Sequence, residues 1–431
     1  MTTYREFSKE ALREQLALLQ DEYAAYIAKG LTLNMTRGKP SPEQLDLSRP
    51  LFDALSSKTE ATILHEGQVD DARNYGGLAG LPEARKFMAA IMDVDAADTI
   101  VCGNSSLAIM YDLIAQAMTS GIAKQTPWAK LDTPVKFLCP SPGYDRHFAL
   151  TSHFGIQMIP VPMTADGPDV YLVERYVNTD PLIKGMWCVP KYANPTGVTY
   201  SDTVVNGLAS LFPAAKDFRI YWDNAYAVHN LTEPGDTLLS IKTACEEAGN
   251  SNMWYMFAST SKITFAGAGI SAVASSPDNI AALCNRLSIQ TIGPDKLNQL
   301  RHVLFLRDMD GVREHMRKHA AIIAPKFETV LQILDEGLSG LGIGEWTKPS
   351  GGYFISFLGM PRTAKRVVQL AKDAGMILTE AGATYPYGND PYDSNIRIAP
   401  TYPSLDELQD ASRLFVLCVK IASLEALLKK K

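Results

Sequence analysis

A single lysine, Lys262, stands in the stretch STSKITFAGAG (259–269), after three hydroxyl residues and before a run of glycine and alanine. In an arbitrary Ser-x-Ser-Lys the ammonium simply points into water. Small neighbours, however, leave room for a bulky group against the backbone, and a lysine amine placed there is a nucleophile toward a carbonyl carbon. Asp223, in WDNAY, follows the bulky Tyr221 and Trp222, so a carboxylate there is poorly hydrated and calls for a cationic partner. Asn194, in NPTG, sits in a turn and can offer its side-chain amide to a ligand oxygen. Tyr144, in PSPGY, can stack on a planar ligand. GNSS (103–106) opens a helix, where free N–H groups and hydroxyls suit a phosphate. Each stretch also has an ordinary explanation as a cap, a turn or a half-buried tyrosine.

What gives these residues joint meaning is the elements that must position them. Short apolar runs at 99–103, 135–140, 183–190, 218–223 and 254–259 read as buried strands, and amphipathic segments at 106–118 and 202–212 read as helices between them. That alternation predicts an α/β domain of three layers, with a mostly parallel sheet covered on both faces. Ligands bind at the carboxyl ends of such strands, and each of the five stretches follows a predicted strand. Asn194 and Asp223 are 29 residues apart (194 to 223) and Asp223 and Lys262 are 39 apart (223 to 262), each interval fitting one strand-helix unit. An amine that condenses with an aldehyde, an acid that keeps a pyridine nitrogen protonated and a helix start for a phosphate together describe pyridoxal 5'-phosphate.

The rest of the chain bounds this reading. Its 431 residues, 46% hydrophobic and 20% charged, suffice for two or three domains. A net charge of −6 with interspersed signs excludes the basic footprint of a nucleic-acid binder. No run approaches the roughly 18 apolar residues of a membrane span, and the N-terminus lacks the uninterrupted apolar core of a secretory signal. The six cysteines are scattered without C-x-x-C spacing, as expected of reduced thiols in a cytoplasmic protein, and no metal site is expected. Phe7, Leu12, Leu16, Leu19, Tyr23, Tyr26 and Ile27 recur at helical spacing. The expected division is an N-terminal helix and arm (1–54) packing with the small domain, a large cofactor-binding domain (55–315) and a small α+β domain (316–431).

Together RGKP (37–40), NYGGLAGLPEAR (74–85), GNSSLA, PSPGY, NPTG, DNAY, STSK, PSGGYF (349–354) and NIRIAP (395–400) make the chain resemble the fold-type I, class I/II aminotransferases over nearly its whole length. It is most similar to the bacterial aspartate-aminotransferase-like branch, which also resembles the enzyme domain of MocR-type regulators. The resemblance implies that Lys262 carries the cofactor, that Asp223 pairs with its ring nitrogen, and that Asn194 and Tyr226 hydrogen-bond its phenolic oxygen. It places Tyr144 on the ring and Asn104, Ser105 and Ser259 on the phosphate. Tyr75 matches a tyrosine that reaches the phosphate of the neighbouring subunit in a homodimer. Arg397 matches the arginine that grips the substrate α-carboxylate, with Gly38 lining the same pocket. The family's phosphate-binding arginine, eight residues after the lysine, is Ile270 here, so the phosphate must rely on hydroxyls, amides or another cation.

The expected reaction is ping-pong transfer of an amino group between an amino acid and a 2-oxo acid. Aspartate or glutamate needs a second cation, for which Arg37 is the first candidate and Arg146 and Arg73 are others. Two alternatives remain at this point: a lyase or synthase using the same cofactor, and a cofactor-binding sensor without turnover.

Overall fold

Eight strands form the central sheet, in the order Thr99–Cys102, Ser271–Ser275, Trp254–Ser259, Arg219–Asp223, Ile183–Cys188, Lys136–Ser141, Gln157–Thr164 and Gly167–Pro168. This computed structural model describes residues 3–36, 38–65 and 68–430. From Trp254–Ser259 to Gln157–Thr164 all neighbours run parallel. Ser271–Ser275 runs antiparallel to both its neighbours, so Thr99–Cys102 points the same way as the parallel set. Every residue of Ile183–Cys188 and Arg219–Asp223 is buried, which explains why these strands read as continuous apolar runs. Successive side chains go to opposite faces: Ile220 and Trp222 enter one core, while Tyr221 enters the other with Trp187 and Phe257.

The five expected strands are present within two residues of their expected ends. Three further strands, Gln157–Thr164, Gly167–Pro168 and Ser271–Ser275, lie outside the set read from the sequence. Ser271–Ser275 is SAVAS, whose small side chains carry little apolar signal because the strand is buried on both sides.

The N-terminal helix Lys9–Ala28 is capped by Ser8, whose Oγ accepts from the Ala11 N–H at 3.1 Å. Its buried line is Leu12, Leu19 and Tyr26, within a core shared with helix Leu405–Lys430. Ile27, one position off that line, is 46% exposed. A parallel ladder between Leu33–Asn34 and Met376–Ile377 fastens the arm to the C-terminal part. There a three-stranded antiparallel sheet holds Gly344–Trp346, Ile355–Gly359 and Asn395–Ile398. Helix Met309–Leu338 begins where Asp308 caps it, its Oδ1 accepting from the Gly311 N–H at 2.9 Å. It joins both parts, with Val312 and Met316 in a core of the large sheet and Ile323 and Phe327 in the C-terminal core. No helix among the described residues is long and apolar enough to cross a membrane.

Four of the seven histidines back the segment that carries Lys262. His229 Nε2 lies 3.3 Å from the Lys262 carbonyl oxygen, and His315 Nε2 lies 2.8 Å from that of Ile263. His302 Nε2 is 2.9 Å from Thr264 Oγ1, and His319 bridges His315 at 3.1 Å to Gln44 at 3.0 Å. Gln44 in turn donates to the Tyr353 hydroxyl at 2.9 Å. Burial lowers the pKa of all four, to about 3 for His229 and His319 and about 4 for His302.

An unfolded histidine titrates near about 6.5. Below that pH the unfolded chain takes up protons that the native cluster refuses. Native stability is therefore complete above the unfolded value and falls with pH by on the order of 1.4 kcal/mol per unit for each such histidine. We expect the thermal midpoint to drop steeply from about pH 6.5 to about pH 4 and His302→Gln to flatten the profile. A midpoint that stays level over this range would contradict the buried neutral cluster.

Candidate functional site

Because the strands share one direction, the residues after Cys102, Ser141, Cys188, Asp223 and Ser259 meet at one edge of the sheet. Seven of the twelve residues selected from the sequence line a single cavity of about 190 Å³ there: Ser105, Tyr144, Asn194, Asp223, Tyr226, Ser259 and Lys262.

Asp223 closes its strand and is 4% exposed. Its Oδ2 lies 3.0 Å from His147 Nε2, while its Oδ1 is buried without a partner. His147 is fixed in turn, stacked on Trp187 with ring centroids 4.4 Å apart. The Trp187 indole N–H donates to Thr151 Oγ1 at 2.8 Å, and Thr151 donates to the His147 carbonyl at 2.6 Å. An ionised carboxylate held in this way is a strong local negative charge with one oxygen still in need of a donor.

Lys262 Nζ stands 4.7 Å from the centre of the Tyr226 ring and 5.7 Å from that of Tyr353, so its ammonium rests on aromatic faces. The Tyr226 phenol is pushed up from its ordinary pKa by burial and then by the Asp223 charge, so it remains a hydrogen-bond donor. Tyr144 precedes helix Asp145–His153, and burial raises its phenol too.

The anion side is built from hydroxyls. Ser105 caps helix Ser106–Thr119, its Oγ accepting from the Ala108 N–H at 3.3 Å, which leaves its own proton to donate. Ser259 donates to Ser261 Oγ at 3.1 Å, and Ser261 to the Asn104 carbonyl at 3.2 Å. The Asn104 amide is directed at the Gly267 carbonyl at 3.1 Å, so the structure has Asn104 tying two loops together. Ile270 is 1% exposed and carries no charge; its N–H donates to Thr260 Oγ1 at 2.9 Å. Of the two glycines after Lys262, Gly269 serves this packing, since a Cβ there would lie 2.8 Å from Thr260 Oγ1, while Gly267 meets nothing within 4 Å. The room near Lys262 thus comes from the serines and the strand ends rather than from these glycines.

Arg397, in strand Asn395–Ile398, reaches the same cavity through Asn194, donating from Nη1 to Asn194 Oδ1 at 3.3 Å. Its guanidinium lies 4.9 Å from the centre of the Phe354 ring. Gly38 makes that stack possible, since a Cβ there would fall 2.5 Å from Phe354 Cζ. Tyr75 is 80% exposed and stands apart from the cavity. Arg37 lies outside the described residues. Arg73 is engaged by Asp71 at 2.7 Å, and Arg146 is exposed.

Sequence reasoning passed over His147, Ser261, Tyr353 and Phe354. For His147 a signal existed: it follows Tyr144 by three residues, one turn along the same helix. Ser261 lies within the quoted STSK. A larger groove of about 1100 Å³ runs along Pro160–Met163 and Tyr385–Tyr387, but the charged residues of its lining are Arg5 and Glu345, and none of the residues selected from the sequence lines it. The acid-base groups converge in the smaller cavity, and that is the candidate active site.

Comparison with known proteins shows which proteins the chain resembles. An aspartate aminotransferase of Corynebacterium glutamicum is 46% identical over 399 residues, covering 92% of this chain and 91% of that one. An aminotransferase-like protein of Mycolicibacterium smegmatis is 49% identical over 430 residues, with 100% of both chains covered. The crystal structure of an aspartate transaminase from C. glutamicum superposes with a TM-score of 0.95 at 44% identity, covering 99% of each chain. Residues 7–431 match the family described as aspartate amino-transferase, and with a lysine, a buried aspartate and an arginine gathered at one sheet edge, the chain belongs to that family of aminotransferases.

Proposed function

We propose that this transaminase uses pyridoxal 5'-phosphate to move an amino group between aspartate or glutamate and a 2-oxo acid. The observation that carries the cofactor is the Asp223 Oδ1 atom, buried and without a partner on a residue that lines the same cavity as Lys262. It fits a protonated ring nitrogen, which would bring the missing donor. When bound, the cofactor supplies the electron sink that makes the substrate Cα proton removable.

The chain's own groups divide the remaining work. Asp223, oriented by His147, holds a proton on the ring nitrogen. Tyr226 and Asn194 direct hydrogen-bonding groups to one side of the cavity, and Tyr144 presents its ring. Ser105, Ser259 and Ser261, with the start of helix Ser106–Thr119, suit the phosphate in place of a cation at position 270. Lys262 is the amine that would hold the cofactor covalently and, once released by the substrate, carry a proton from Cα. Arg397 grips the α-carboxylate. The names of the relatives favour transamination over the lyase and sensor alternatives, and the C. glutamicum aspartate aminotransferase supports aspartate as a donor. Six free cysteines suit a reducing cytoplasm.

We read residues 55–315 as the large domain and 316–431, with the arm 1–54, as the small one. The active unit is a homodimer. Phe52, Tyr75, Ile289, Ile292 and Leu297 are exposed apolar side chains. The loops bearing Tyr75 and Ile292 touch, since a Cβ at Gly293 would lie 2.4 Å from the Gly76 carbonyl oxygen. Such a surface suits a second copy.

Three outcomes test these assignments. Lys262→Ala should lose at least about a hundredfold in amino transfer and retain no borohydride-fixable cofactor, whereas normal transfer would refute the nucleophile. Tyr75→Phe should release cofactor on dilution at higher protein concentrations than the wild type does; a fully active monomer would contradict the shared site. Mixing the yellow holoenzyme with each of the twenty amino acids should bleach it fastest with aspartate and glutamate, and a preference for alanine or aromatic donors would overturn the substrate.

A further inference from the structure

The carboxylate-gripping arginine is not idle in this structure. Arg397 Nη1 donates to Asp145 Oδ1 at 2.8 Å as well as to Asn194 Oδ1 at 3.3 Å, so both of its hydrogens are engaged. Nη2 donates to Thr379 Oγ1 at 3.3 Å, and Nε is buried without a partner. Asp145 is the first residue of helix Asp145–His153, directly after Tyr144. Among the described residues its side chain makes one hydrogen bond, the one to Arg397.

The two partners differ in their access to water. The Arg397 side chain is 7% exposed and that of Asp145 32%. A buried guanidinium without a counter-charge is strongly unfavourable, so Arg397 benefits from an acid that neutralises it. The acid itself can retreat into solvent, where it is hydrated again at little cost. A substrate carboxylate gripped through Nη1 and Nη2 needs the Nη1 hydrogen that Asp145 holds.

We propose that Asp145 is a placeholder carboxylate, which neutralises Arg397 between turnovers and yields that edge of the guanidinium to the substrate α-carboxylate. The inference rests on the reading of Arg397 as the α-carboxylate site. One carboxylate replaces another on the same cation, so the buried charge balance is kept through the exchange. Carboxylate affinity is then set by competition, and the return of Asp145 assists departure of the product oxo acid. An amine without a carboxylate cannot make the exchange.

The test titrates holoenzyme with two probes while the visible absorbance of the cofactor is followed. Succinate has carboxylates and no amine; ethylamine has an amine and no carboxylate. Asp145→Asn removes the competing charge and keeps the shape, so it should bind succinate about tenfold more tightly, the value of one charged hydrogen bond. Its change toward ethylamine should be several-fold smaller. Asp145→Ser, which also removes the charge, should show the same gain, and Asp145→Glu should stay near the wild type. Unchanged or weaker succinate binding in both neutral variants, with Arg397→Lys losing it, would overturn the placeholder and leave the Arg397 reading standing. Equal shifts for both probes would also overturn it, because they would mark a general disturbance of the site. Wild-type succinate affinity in Arg397→Lys would instead remove the reading on which the inference rests.

Discussion

A carboxylate in a dry place is the constraint around which this molecule is organised. Asp223 ends a strand buried along its whole length, with one oxygen against His147 and the other awaiting a donor. Leaving such a group ionised and half-satisfied costs free energy that the fold must recover elsewhere. The recovery is visible in the packing around it: His147 stacked on Trp187, Trp187 bonded to Thr151, and Thr151 returning to the His147 backbone. The helix Asp145–His153 therefore follows a cavity-lining ring, that of Tyr144 which caps it, with a carboxylate on Arg397 from its first residue and, two residues on, the imidazole that holds Asp223. Three contacts ride on one short element, which limits how far any of them can drift from the others.

The cationic groups obey the same economy of charge. Lys262 sits on the faces of Tyr226 and Tyr353, and the imidazoles behind its backbone are kept neutral by burial. For His229, the charge of Lys262 itself adds to that depression. Neutral rings let the segment be gripped at the Lys262 and Ile263 carbonyls and the Thr264 hydroxyl without adding positive charge beside the amine. They also tie three regions to one point: Gln44 and Ser48 from the N-terminal arm, His315 and His319 from the connecting helix, and Tyr353 from the C-terminal part. Movement between these regions would be felt at the lysine.

Much of this was legible in the chain. The strand rhythm from Thr99 to Ser259 could be read because strands covered on both faces are continuously apolar. Asp223, Asn194 and Lys262 stood out because they close such a strand or stand in the loop that follows one. Ser271–Ser275 was not legible, since small residues in a crowded strand carry no period, and helical spacing alone did not show that Ile27 stands on the exposed side of its helix. His147 and Asp145 were in plain view but silent: their roles depend on Asp223, 76 residues on, and Arg397, 252 residues on. Of the glycines after Lys262, Gly269 answers to close packing and Gly267 meets open space. Only the folded chain shows that Thr260, not a ligand, is what a Cβ at Gly269 would strike.

Whether Asp223 keeps a proton on the cofactor ring can be read directly by nitrogen NMR of holoenzyme loaded with cofactor labelled with 15N at the ring position. The wild type should show a protonated pyridine nitrogen at neutral and mildly alkaline pH, and Asp223→Asn should shift it to the unprotonated range. An unprotonated nitrogen in the wild type would contradict the role assigned to the buried carboxylate.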